Sequence, residues 1–188
     1  MPTTFFKIPK GKTVLYLLFL TNSVYLFMIG YSIPTTSAFA SGLPILDMKP
    51  FGYNFNDVMH LFDNLGEDGR MYYHNVQLAV DLVYPFLFII CYTALGVYIL
   101  EKLKSSINLF KLLYWLPLVA GVSDYIENFF IYTLLDAYPK IDHLTVNLSA
   151  TFSVIKSLST TLYFILILLA LVKLFNQKYF SRKNTIKV

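Results

Sequence analysis

Four long apolar stretches alternate with polar segments along this chain. Each is long enough to cross about 30 Å of hydrocarbon as a helix rising about 1.5 Å per residue. The pattern predicts transmembrane helices at about 13–33, 76–100, 112–135 and 150–175. The first stretch also has features of a secretory signal, because Ala38-Phe39-Ala40 offers a small-x-small cleavage site. Its apolar run exceeds the roughly 7–15 residues of a signal core, which favours a retained helix.

Between the first two spans, residues 34–68 are polar and punctuated by Pro34, Pro44 and Pro50. Within them Asn56 reads as an N-cap, and Val58, Leu61, Phe62 and Leu65 follow at helical spacing before Gly66. The expected element is a short amphipathic helix at about 57–65, lying on the membrane surface or lidding the bundle. The second long helix begins at Asp68 or Gly69. Its first turns carry Arg70, His74, Gln77, Asp81 and Tyr84 at offsets that hold one face of a regular helix. Pro85 removes the donor that would bond the carbonyl of Asp81.

Composition agrees with the pattern. Of 188 residues 56% are hydrophobic and only 14% charged, against about 25% in soluble domains, so most of the surface meets lipid. Such a length fits a single membrane domain, residues 1–188. The single cysteine, Cys91, excludes an internal disulfide. The formal charge of +4 reflects where the basic residues sit. Eleven of the fifteen lie in the N-terminal arm, the 101–111 connector and the C-terminal tail, whereas the two opposite loops hold Lys49, Arg70 and Lys140. The positive-inside rule then predicts a multi-pass cell-membrane protein with both termini cytoplasmic and both larger loops outside. Basic residues placed this way read as topology determinants touching anionic lipid, and nucleic acid is not an expected partner.

The fold expected is therefore an all-α, polytopic four-helix bundle with a short amphipathic helix in its first outer loop. Its candidate chemistry lies in Asp124, Glu127 and Asn128, spaced i, i+3, i+4 within an otherwise apolar run. An acid near the centre of a spanning helix costs roughly 2.5–3.5 kcal/mol on insertion scales. Asp81 on helix two and Lys156 on helix four are expected at the same depth, in the outer half. Helix four also brings Thr160 and Tyr163 on the lysine's face, and helix one brings Asn22.

Two accounts of the cluster compete. In the structural one, Lys156 pairs with Asp124 or Glu127, Asn128 bonds across to Asn22, and the groups only bind helices together. Against it, three acids face one base, which leaves carboxylates without a fixed counter-charge. That imbalance favours a pocket whose candidate acid/base or ligand-binding groups are Asp124, Glu127, Asp81 and Lys156. Asn128, Arg70, His74, Gln77, Tyr84, Thr160, Tyr163 and Asn22 are its candidate lining. No HExxH motif, Cys/His pairing, GxSxG, phosphate-binding glycine loop or dinucleotide fingerprint occurs, so no metal or cofactor is implied.

The elements Gly69-Arg70-x-Tyr72, Asp81-x-x-Tyr84-Pro85 and Asp124-x-x-Glu127-Asn128 resemble small four-span bacterial membrane proteins. More distantly, they resemble the EXPERA group of sterol isomerases and sigma-2-type receptors. The resemblance implies a compact bundle with acids on facing helices around an amphiphile pocket, with Asp81, Asp124 and Glu127 as the pocket acids. Lys156 and the position of Pro85 depart from the EXPERA pattern. The leading functional expectation is a membrane protein that binds or transforms a small amphiphilic or lipid-like molecule. The alternatives are a proton- or ion-coupled transport module, oligomeric because four helices enclose little volume, and an assembly subunit with a structural cluster.

Overall fold

Four helices make up most of the computed structural model, which describes residues 8–103 and 108–185. We label them α1 (Gly11–Phe39), α2 (Phe55–Leu103), α3 (Leu112–Ala137) and α4 (His143–Thr185). No strand occurs among the described residues, and all four helices are long and apolar enough to cross a membrane. The protein is thus an all-α, multi-pass membrane four-helix bundle. Of the basic residues used for the topology argument, Lys7, Lys104 and Lys187 lie outside the described residues.

Helix α1 runs past Pro34, where the sequence suggests an end, and stops at Phe39. A π-helical turn at Met28–Ser32 ends two residues before the proline. Pro34 has no N–H to donate and its ring crowds the carbonyl four residues back; a widened turn at that point relieves both problems.

The N-cap of α2 lies two residues before the expected one. Asn54, not Asn56, accepts from the Asp57 amide at 3.0 Å, and the Asn54 amide donates back to Asp57 Oδ2 at 2.9 Å. This reciprocal capping box satisfies two donors that the helix start would leave orphaned. Gly66 then breaks the helix with φ 64°, a conformation that favours glycine, and the helix resumes directly after it. The short segment before Gly66 buries Val58, Leu61, Phe62 and Leu65 against Ile131 and Leu134 of α3 and Val146 of α4. It therefore lids the bundle.

The 40–54 segment folds back beneath that lid. Ala40, Ile45 and Leu46 are fully buried. The Tyr53 hydroxyl bonds Ser149 at 2.6 Å, and Ser153 donates to the Lys49 carbonyl at 3.2 Å. Helix α4 begins at His143, earlier than the expected start at about residue 150, because the Asp142 carboxylate accepts from the Thr145 amide at 2.9 Å.

Packing is closest where glycines allow it. A Cβ on Gly96 would stand 2.6 Å from the Leu113 carbonyl oxygen, and one on Gly121 would stand 2.4 Å from Ile89. These positions draw α2 and α3 together. Helix α3 packs most extensively on α4, whereas α1 packs on α2. Two apolar clusters fill the bundle. One, around Phe62, Tyr73, Ile131 and Leu134, lies under the lid; the other, around Phe88, Cys91, Leu113, Tyr163 and Leu166, lies at the opposite end. Between them sits a band of buried polar side chains.

Candidate functional site

Lys156 of α4 is the hub of that band. Its ammonium stands 3.1 Å from Asp124 Oδ1 and 2.5 Å from Glu127 Oε2, both on α3. The i, i+3 spacing explains how one lysine reaches both acids. Asp81 is 3% exposed and lines the same space from α2. A further acid comes from outside the helices. Asp47, in the 3₁₀ turn Leu46–Met48, faces Asp81, and its Oδ2 accepts from the Tyr73 hydroxyl at 2.5 Å.

These groups stand at the polar end of a cavity of about 510 Å³ between α1, α2, α3 and α4. Asp47, Asp81, Asp124 and Lys156 line that end, while Tyr25, Met28, Phe88, Tyr92 and Phe164 supply apolar and aromatic wall. The volume lies within the range of small-molecule sites, and an apolar chamber with a few convergent polar groups is their usual form.

Asn22, Tyr84 and Thr160 also line the cavity, as the sequence pattern suggests. The other candidates are held elsewhere. Glu127 is fully buried behind Lys156 and reaches the cavity only through it. Asn22 donates to the Leu18 carbonyl of its own helix at 2.7 Å, so the expected bridge to Asn128 is not made. Asn128 is buried with neither side-chain polar atom hydrogen-bonded. Tyr163 is fully buried and donates to the Tyr92 carbonyl at 2.7 Å.

Arg70 and His74 do not share the face of Asp81. Arg70 donates to the Phe62 carbonyl at 2.7 Å and its guanidinium lies 4.2 Å from the Tyr138 ring centre. His74 stands 3.1 Å from Asp136 and its ring lies 4.2 Å from that of Tyr132. A second π-helical turn, Tyr73–Gln77, is the cause. The wider turn rotates everything after it, so Tyr73, Gln77 and Asp81 point inward while His74 points aside. Gln77 accepts a hydrogen bond from Ser32, so the π turns of α1 and α2 are joined by a buried side-chain pair. The backbone also relaxes at Leu82, whose carbonyl accepts from the Tyr125 hydroxyl at 2.8 Å.

Sequence reasoning missed Asp47 and the Tyr73 that holds it. One signal was available: Ile45-Leu46-Asp47-Met48 is an apolar run inside a segment otherwise read as exposed loop. Apolar side chains there gain most by folding onto the bundle, and they carry the acid with them. Among the described residues no group of three His, Cys, Asp or Glu side chains is arranged to hold a metal ion. Compared with known proteins, the chain matches no family model, no curated protein and no solved structure. Fold and composition define its class as an integral membrane protein.

Proposed function

We propose that this protein binds a small amphiphile bearing a protonated amine, head group against the acids and apolar body along the aromatic wall. The observation that carries the reading is a mismatch of charge around one chamber. Asp47, Asp81 and Asp124 line it, Glu127 stands behind, and the sole ammonium there is already shared between Asp124 and Glu127. Asp47 and Asp81 face each other within side-chain hydrogen-bonding reach, while the ammonium of Lys156 is taken up by Asp124 and Glu127. Buried charge is costly unless paired, so a cationic ligand is the partner these acids would favour most. The EXPERA-like resemblance favours the same reading, since it implies Asp81, Asp124 and Glu127 as the pocket acids. With the termini cytoplasmic, as the basic residues argue, the chamber lies in the outer half of the membrane.

The test uses the full chain in nanodiscs with a fluorescent alkylammonium probe and its uncharged alcohol analogue. Asp81→Asn and Asp124→Asn are expected to weaken the ammonium probe at least tenfold, about 1.4 kcal/mol, and to leave the alcohol unchanged. Equal binding of alcohol and ammonium, or indifference to both substitutions, overturns the reading. Loss of folding in both variants, with no probe bound by the parent, returns the cluster to a structural role. Ion flux in proteoliposomes abolished by Asp124→Asn would establish the transport alternative instead.

A further inference from the structure

A second concavity lies on the far side of α2, remote from the acids. It holds about 350 Å³ and is lined by Pro9, by Ile90, Thr93 and Ala94 of α2, and by Trp115 and Leu118 of α3. Its lining is almost wholly apolar, and Trp115 at its edge is 61% exposed. In an apolar span an open groove of this kind is filled by whatever surrounds it. What distinguishes this one is the charge at its rim.

Lys10 directly follows Pro9, and Lys111 ends the 3₁₀ turn Asn108–Lys111 at the start of α3, four residues before Trp115. Both lysines are exposed, and neither forms an ion pair among the described residues. The acid nearest in sequence to this end of α2 and α3 is Glu101. Lysines beside an interfacial tryptophan, at the head of an apolar groove, match the two ends of an anionic phospholipid. We propose that this groove is a lipid site: one acyl chain lies between α2 and α3 against Trp115, and Lys10 and Lys111 hold the phosphate. The site is independent of the acid-lined chamber.

Trp115 is the only tryptophan in the chain, so it reports on the groove without labelling. The full-length protein is placed in phosphatidylcholine nanodiscs in which a small fraction of lipid has brominated acyl chains. That fraction is either phosphatidylglycerol or phosphatidylcholine. Brominated phosphatidylglycerol is expected to quench Trp115 several-fold more at equal mole fraction, and to saturate. Lys10→Gln with Lys111→Gln should equalise the two lipids. Ala94→Leu, which fills the groove but keeps both lysines, should remove the saturable component. Equal quenching by both lipids in the parent protein overturns the site. So does a preference that survives Ala94→Leu, because a basic surface alone would then account for it. Absence of quenching by either lipid also overturns it, since protein would then occupy the groove.

Discussion

The hydroxyl of Tyr73 donates to Asp47 Oδ2 at 2.5 Å, tying the 40–54 segment to the π turn of α2. Tyr73 is fully buried, so this bond forms in a setting where water offers no substitute. It sets an acid from a loop opposite an acid from a spanning helix. The polar end of the chamber therefore depends on a segment outside the four spans.

Tyr73→Phe keeps the ring and removes only that donor. The variant should lose about 1–3 kcal/mol of stability, the range for leaving a buried acceptor unpaired. Amide exchange in residues 43–53 should quicken while the first half of α3 and the second half of α4, which pack together at the opposite end, stay protected. Thermal unfolding in detergent and hydrogen–deuterium exchange read the two effects separately.

Lys156 holds two acids at once, and its removal leaves both facing each other. Lys156→Met should cost about 3–5 kcal/mol, as expected when one partner of a buried ion pair is deleted. Adding Asp124→Asn and Glu127→Gln to Lys156→Met should recover much of the loss, because the uncompensated charges go with it. Unfolding titrations of the single, double and triple variants give the coupling. Simple additivity would show that the lysine does not act through these acids.

Glycine contacts give a matched comparison. Gly96→Ala drives a methyl against the Leu113 backbone carbonyl, which cannot rotate away, whereas Gly30 has open space around it. The first change should destabilise by about 1–3 kcal/mol, and the second should be neutral or stabilise by up to about 1 kcal/mol. Melting temperatures of both variants in one detergent are the check.

Asp142 begins α4 with a carboxylate that accepts from the Thr145 hydroxyl at 2.6 Å and from its amide at 2.9 Å. The Thr145 hydroxyl, followed by the backbone amide, holds the acid below the usual carboxylate range. A group lowered by folding contributes above its unfolded value and loses that contribution as pH falls through the folded one. Protection of the first turn of α4 should therefore decline in acid, below about pH 4. Asp142→Asn keeps an acceptor at the same place and should flatten this dependence. Exchange at Thr145 and Val146 across an acid series measures it.

The four spans could be read along the chain because each depends on a local quantity. A run of twenty apolar residues crosses hydrocarbon whatever packs beside it. The meeting of Asp124, Glu127 and Lys156 was legible too. Helical spacing puts the two acids on one face, and a lone basic residue in an apolar span needs an acidic partner. The stripe from Arg70 to Tyr84 was legible only in part: Asp81 and Tyr84 line the chamber, and Arg70 and His74 do not. It assumed a constant 3.6-residue period, and a single π turn at Tyr73–Gln77 was enough to send His74 and Asp81 in different directions.

By itself, then, the order of residues determined an all-α membrane bundle and four of its buried ionisable groups, Asp81, Asp124, Glu127 and Lys156, since hydropathy and periodicity act over a few turns. Only the tertiary structure decided that Asp47 joins them and that Arg70 and His74 do not. It also left a chamber between α1 and α4, lined from both helices. Those outcomes depend on long-range packing: which loop covers the bundle, where a helix widens, and which pair of helices stays apart. No window of sequence carries that information.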